Sequence, residues 1–302
     1  MSAPPAPLPP RHDPPRRLAP APARDRRWRR LTTLLGGTIA LLAVLALAAG
    51  SIASWMSLRE FDEVPATLAL GTPRSLSLDV ASGDVRVLPS EAVTEVTLSL
   101  VAPGTTVPVS PEGRVRADLR RTGGPQHPVV AVDQPHDLSL LPGTGGDRDV
   151  LVLVPVGHVL DLDLASGAGD VTVEGDFTAL HASADVGDVH LGPVSAAEDL
   201  SVRTDVGSID VELLAPSPAA VELSAQVGDI ALHLPADAAG RIGAVTDLGD
   251  VDIELPGTAL WEVEARTELG EAQVDPGVEG SEGESVGTLS LITATGDITV
   301  TR

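Results

Sequence analysis

The stretch Ser201-Val202-Arg203-Thr204-Asp205-Val206-Gly207-Ser208-Ile209-Asp210-Val211-Glu212-Leu213 decides the fold. Before Gly207, the residues Val202, Thr204 and Val206 alternate with polar Ser201, Arg203 and Asp205, the period of a strand with one buried face. After it the parity shifts by one, and Ile209, Val211 and Leu213 become the inward set. Such a shift would turn a straight strand's core face outward. The Gly pair therefore reads as a corner, where Gly supplies a φ that other residues avoid.

The unit returns along the chain. Gly followed by Asp, Glu or Ser occurs at Gly83, Gly169, Gly187, Gly207, Gly228, Gly249, Gly270 and Gly296. From Gly187 to Gly270 the intervals are 20, 21, 21 and 21 residues, with 18 before and 26 after. The same parity makes Leu223, Ala225 and Val227, or Ala265, Thr267 and Leu269, inward before the corner. Ile230, Leu232 and Leu234, or Val251, Ile253 and Leu255, are inward after it. A fixed interval of this length signals repeats that bury their apolar faces only by stacking on their neighbours.

The third residue before each Gly is slim: Val80, Ser166, Ala184, Thr204, Ala225, Thr246, Thr267 and Thr293. Stacked about 4.8 Å apart, such a row lets opposite walls approach closely, so the stack should be thin. Two Phe, three Trp and no Tyr agree with a thin core. The expected fold class is all-β: a β-solenoid or strand-repeat ectodomain with an irregular β N-terminal cap, preceded by one transmembrane α-helix.

Residues 1–30 hold nine Pro and eight Arg and cannot bury a core, so a disordered cytoplasmic tail is expected there. Residues 31–56 carry no charge. As a helix, that run reaches roughly 39 Å, enough to cross a bilayer core of about 30 Å. Arg24, Arg26, Arg27, Arg29 and Arg30 crowd its N-terminal edge, while Glu60, Asp62 and Glu63 follow it, which predicts a cytoplasmic N-terminus and an extracytoplasmic remainder. The competing reading is a cleaved signal peptide, with Ala46-Leu47-Ala48 as the small-residue site. Beyond the span the sequence divides into a linker (57–69), an N-terminal β cap subdomain (70–157) where the period is lost, and the Gly-Asp repeat region (158–302). The final rung, Leu289 through Val300, is expected to present an unpaired edge.

Residues 58–302 hold 41 acidic and 12 basic side chains, a formal charge of 12 − 41 = −29. Such a surface repels nucleic acid and anionic lipid and opposes self-association. The chain has no Cys, so neither disulfides nor a lipidated Cys are available, and its lack of Lys, Asn and Tyr fits a GC-rich bacterial genome.

The order of features resembles a family of bacterial β-strand-repeat proteins described as adhesins, whose molecular function is unknown. The residues that carry the resemblance are Ser75-Leu76-Ser77-Leu78-Asp79-Val80-Ala81-Ser82-Gly83-Asp84-Val85-Arg86-Val87, Val150-Leu151-Val152-Leu153-Val154-Pro155 and Leu160-Asp161-Leu162-Asp163-Leu164-Ala165-Ser166-Gly167-Ala168-Gly169-Asp170-Val171, with the later Gly-Asp units. The resemblance covers about residues 70–302. It implies a repeat β-fold on the outer face of a bacterial membrane and brings no catalytic motif to this chain.

Two acidic rows flank the corners. Asp170, Asp188, Asp229, Asp250 and Glu271 follow the Gly; Asp185, Asp205, Asp247 and Glu268 stand two before it, with Gln226 completing the series. Like charges at rung spacing repel by roughly 0.9 kcal/mol per pair in water, and Ca²⁺ would relieve this. Asp185, Asp188, Asp205, Asp229, Asp247 and Asp250 are thus the Ca²⁺ candidates. The alternative is turn chemistry, in which each Asp bonds its own backbone. The denser repeat of calcium-loaded β-rolls is missing, and no cofactor is expected. His12, His127, His136, His158, His181, His190 and His233 show no metal-ligand spacing, and no Gly-x-Ser-x-Gly, His-Glu-x-x-His or Walker loop occurs.

These features predict a membrane-anchored, extracytoplasmic, non-catalytic binding or adhesin-like module whose partners are cell-envelope polymers or proteins. The alternatives are a scaffold that self-assembles through homotypic contacts and an envelope-stress accessory protein. Protease added to spheroplasts should remove an epitope at Arg302 and spare one at Met1. The reverse pattern would overturn the orientation, and release of a mature fragment would favour the signal peptide.

Overall fold

The computed structural model describes residues 61–135, 148–280 and 285–302. The expected tail and transmembrane helix lie outside the described residues. Among the described residues all regular structure is β-strand, and no helix there is long and apolar enough to cross a membrane.

The strands begin with β1 (Glu63–Pro65), β2 (Thr67–Gly71), β3 (Ser75–Val80), β4 (Val85–Ser90), β5 (Val96–Val101), β6 (Arg114–Arg116) and β7 (Asp118–Gly124). There follow β8 (His127–Asp133), β9 (Asp149–Pro155), β10 (Leu160–Ala168), β11 (Val171–Val186), β12 (Val189–Val206), β13 (Ile209–Leu213) and β14 (Ala220–Val227). The last are β15 (Ile230–His233), β16 (Gly240–Leu248), β17 (Val251–Glu254), β18 (Trp261–Leu269), β19 (Ala272–Val274), β20 (Gly287–Thr295) and β21 (Ile298–Thr301).

These strands pair into two parallel ladders. The first, made of strands that run toward the Gly corners, has the order β8, β3, β10, the second half of β11, the second half of β12, β14, β16, β20, β18. The second, made of strands that leave the corners, has the order β9, β4, the start of β11, the start of β12, β13, β15, β17, β21, β19. One strand from each ladder makes a rung. The long strands β11 and β12 cross from the second ladder into the first, with register shifts where they bend.

Inward residues of both ladders form one continuous core. In the rung of β14 and β15, Leu223, Ala225, Ile230, Leu232 and Leu234 are all buried. Each large aliphatic contributes about 1.5–3 kcal/mol on burial, and none is covered until the neighbouring rungs are in place. The parity expected after the Gly holds at Ile209, Val211 and Leu213. The parity expected before it fails at its last residue. Thr204 and Val202 are buried, but Val206 is 49% exposed, and Val227 and Leu269 also face solvent. The chain leaves the pleat one residue before the Gly, so both residues preceding the corner point outward.

The corners stack backbone on backbone. Gly187, Gly207, Gly228 and Gly249 have φ of 144°, 148°, 148° and 151°. Each Gly N–H donates across to the next rung, as Gly187 does to Val206 O at 2.9 Å and Gly207 to Val227 O at 2.9 Å. A Cβ on Gly207 would overlap the Gly187 carbonyl, so both the φ and the space exclude any other residue.

Rung order departs from chain order at both ends. At one end, β8 and β9 lie outside β3 and β4, while β10 joins β3 on its other side. Beyond them, β7 adds antiparallel to β8, and β5 then β2 add antiparallel to β9, so this end finishes in antiparallel strands. Strands upstream of residue 158 therefore belong to the same ladders as the later repeats. At the other end, β20 and β21 insert between β16–β17 and β18–β19. The expected open edge at Leu289–Val300 is thus internal, and β18–β19 ends the stack. The physical reason lies in the side chains. β20 carries buried Leu289, Leu291 and Thr293 with uncharged Ser290 and Ile292 outward, whereas β18 carries outward Glu262, Glu264, Arg266 and Glu268. A charged strand is better tolerated at an edge than between two others.

Gly207→Ala should lose about 3 kcal/mol or more of stability in chemical denaturation. Gly243→Ala, where a Cβ meets only the Val221 carbonyl at 4.0 Å, should be neutral or slightly stabilising. Equal effects at the two sites would refute the stacked corner.

Candidate functional site

Three rows of side chains run along the corner edge, one residue per rung. The residue after the Gly is acidic in most rungs because its carboxylate has a structural task. The Asp170 N–H donates to Asp84 Oδ1 at 3.1 Å, Asp188 N–H to Asp170 Oδ1 at 3.0 Å, and Ser208 N–H to Asp188 Oδ1 at 2.8 Å. Asp229 N–H donates to Ser208 Oγ at 3.4 Å and Asp250 N–H to Asp229 Oδ1 at 2.9 Å. Asp297 N–H then donates to Asp250 Oδ1 at 2.7 Å, and Glu271 N–H to Asp297 Oδ1 at 2.8 Å. The expected bond of each Asp to its own turn is replaced by a bond to the next rung. At the antiparallel end, Asp149 is buried and accepts from the Gly104 N–H at 2.7 Å and the Arg86 guanidinium at 2.8 Å.

The slim row inside the corner is also a hydrogen-bond row. Thr204 Oγ1 donates to Gly187 O at 3.3 Å, and Thr246 Oγ1 to Gly228 O at 2.9 Å. Thr293 Oγ1 donates to Gly249 O and Thr267 Oγ1 to Gly296 O, both at 2.9 Å. Threonine in this row thus gives a Gly carbonyl its hydrogen bond. Its slimness was legible in the sequence; its bond needed the rung register.

Of the Ca²⁺ candidates, Asp188, Asp229 and Asp250 lie in the row after the Gly, and Asp185, Asp205 and Asp247 in the row two before it. Gln226 Nε2 donates to Asp205 Oδ1 at 2.6 Å, joining neighbours of the second row. Among the described residues no three His, Asp or Glu groups converge as a metal site would require. Three of the described histidines on rung faces pair instead with carboxylates one rung away: His190 Nδ1 with Asp210 Oδ2 at 3.1 Å, His233 Nδ1 with Glu254 Oε2 at 2.7 Å, and His181 Nε2 with Asp199 Oδ2 at 3.3 Å. Their separations of 20, 21 and 18 residues repeat the interval between corners, the one sequence signal that could have found them. These pairs are half exposed, and Glu212 stands in register on the other side of His233 from Glu254.

Between the acidic rows runs an apolar one that sequence parity had placed inside. Val186, Val206, Val227, Leu248 and Leu269 are all exposed, from 44% at Val227 to 69% at Leu269. Only Thr295 interrupts the row in these rungs. The result is an aliphatic stripe edged by carboxylates on both sides, and exposed apolar patches rimmed by polar residues commonly mark interaction sites. Away from the corners, a recess of about 320 Å³ is lined by Pro89, Pro155, Phe177, Pro193 and Leu214, with His158 at its wall.

No family model matches the chain, and no curated protein matches it. Two solved structures are similar. A candidate cell adhesion protein from Clostridium sporogenes is 10% identical, with a TM-score of 0.31 over 80% of this chain and 99% of that one. A candidate adhesin from Bacteroides fragilis is 13% identical, with a TM-score of 0.39 over 80% of this chain and 96% of that one. At such scores neither likeness assigns a function to this chain.

Asp229→Ala, which removes the acceptor for the Asp250 N–H, should cost about 1 kcal/mol, and Asp229→Asn less. Millimolar Ca²⁺ should raise the melting temperature little. A rise of many degrees that is abolished by the combined Asp188→Asn, Asp229→Asn and Asp250→Asn changes would instead establish a metal array.

Proposed function

We propose that the stacked rungs form a β-solenoid that serves as the extracytoplasmic, non-catalytic binding domain of a membrane-anchored, adhesin-like protein. The observation that carries this reading is the aliphatic stripe Val186, Val206, Val227, Leu248 and Leu269 between two carboxylate rows. Strand propensity is met equally by Thr, as at Thr295, yet five rungs carry Val or Leu at this solvent-facing position. A linear surface with one repeated chemistry suits an extended partner that repeats as well, such as an envelope polymer or a protein segment bearing apolar and cationic groups. The uncharged run at residues 31–56 and the arginines before it support anchoring with the stack outside.

The carboxylates support binding over acid–base catalysis. Most of those after the Gly accept a backbone N–H from the next rung in the same way, whereas acid–base work needs paired groups held in different environments. The scaffold alternative is disfavoured because one end of the stack finishes in antiparallel β7 and β2 and the other in parallel β18 and β19, whereas a head-to-tail polymer needs two matching ends.

The full chain, immobilised and exposed to envelope fractions, should retain a partner. A Val206→Thr, Val227→Thr, Leu248→Thr variant should lose at least tenfold of that retention while keeping its melting temperature within a few degrees. Undiminished retention by the folded variant would remove the stripe as the binding surface.

A further inference from the structure

We propose that the β18 edge is a homodimer interface, closed by a second copy of this chain across a two-fold axis centred on Ala265. The end of the stack is unfinished. Val263, Ala265, Thr267 and Val274 are only half-buried, although their counterparts one or more rungs inward, such as Ile242, Ala244, Thr246 and Leu232, are buried. Trp261 is the exception: its N–H donates to Val278 O at 2.8 Å and its C=O accepts from the Gly280 N–H at 2.9 Å, so the 275–280 turn covers the start of β18. These two bonds also fix the polarity of the edge. Backbone groups of alternate residues point the same way, so the N–H and C=O of Val263, Ala265 and Thr267 face off the stack. No described strand lies beside them.

A second copy satisfies these groups in one register. Two identical edges related by a two-fold axis pair antiparallel, as an isologous interface requires. With the axis at Ala265, Val263 lies opposite Thr267 of the second copy, Ala265 opposite Ala265, and Thr267 opposite Val263. In an antiparallel ladder each such pair exchanges both backbone bonds. Moving the axis to residue 264 or 266 leaves only two of the three pairs.

Charge selects the same register. On the outer face Glu264 and Arg266 already form an ion pair within β18. In this register Glu264 also comes opposite Arg266 of the second copy, and Arg266 opposite Glu264, so the two pairs join into one alternating cluster across the axis. An axis at residue 264 would set Glu264 against itself. An axis at residue 266 would set Arg266 against itself and Glu264 against Glu268. Like charges remain opposite each other only at Glu262 and Glu268, the two ends of the paired segment. A foreign strand has no comparable reason to match Glu262, Glu264, Arg266 and Glu268 in this order. The other end of the stack carries antiparallel β7 and β2 at its margins, so the same contact cannot repeat there and association stops at two.

The native chain has no Cys, which makes the test clean. The full chain in detergent micelles should be dimeric by sedimentation at about 0.15 M ionic strength. Oxidised Ala265→Cys should form a disulfide-linked dimer, because hydrogen-bonded antiparallel partners have Cα atoms about 5.5 Å apart, within disulfide range. Glu262→Cys should not, since residue 262 of the second copy lies about six residues along the edge. Arg266→Glu, at an exposed position, should weaken the dimer at least tenfold, and adding Glu264→Arg should restore it. A monomeric or larger native species, a cross-link through residue 262, or a folded Ala265→Cys chain that stays monomeric would each overturn the proposal.

Discussion

Every other feature of this stack depends on direct backbone contact at the Gly corners. Each corner Gly lies against the carbonyl of the Gly one rung away, so the rungs approach at β-sheet spacing through the bend itself. A side chain at any corner would push two rungs apart and break the hydrogen bonds of both ladders at once. The core follows from this spacing. A rung contributes only a few aliphatic side chains, too few to offset the ordering of about 20 residues, and gains its burial from neighbours on both sides.

The same contact explains the polar chemistry of the corner. Packing Gly on Gly leaves carbonyl lone pairs and the following N–H facing each other across rungs, and Thr hydroxyls and Asp carboxylates satisfy them. Stacked carboxylates repel, but each N–H that they accept offsets part of that repulsion, and solvent screens the rest. Ser208 shows that a neutral acceptor fits the row, so the charge is tolerated by the fold and not demanded by it. What the fold does not call for is the aliphatic row beside it, and that makes the row informative about partners.

The ends obey a different rule from the middle. An interior rung is specified by its two faces, but a terminal rung must also manage an edge. At one end the chain finishes in antiparallel strands. At the other it places the charged β18 outermost and returns the apolar β20 to the interior. Negative charge on β18 discourages indiscriminate strand addition, while the single Arg266 among three glutamates leaves one self-complementary register open.

The sequence by itself determined the all-β class, the corners, the 20–21-residue unit and the inward residues after each Gly, because all of these are local: parity and glycine spacing act within one rung. It also carried the two acidic rows and the slim row, though not their bonds. Tertiary structure alone decided which rung lies beside which. Residues 261–274 precede 287–301 in the chain but lie outside them in the stack, since the choice rests on comparing the burial cost of whole strands. It likewise decided that Val206, Val227 and Leu269 face solvent, because the pleat ends one residue earlier than an alternating pattern implies. The partners of Asp188 and Thr246 could not be read from the chain for the same reason: they are backbone atoms of another rung, placed by the stack and carrying no side-chain signature.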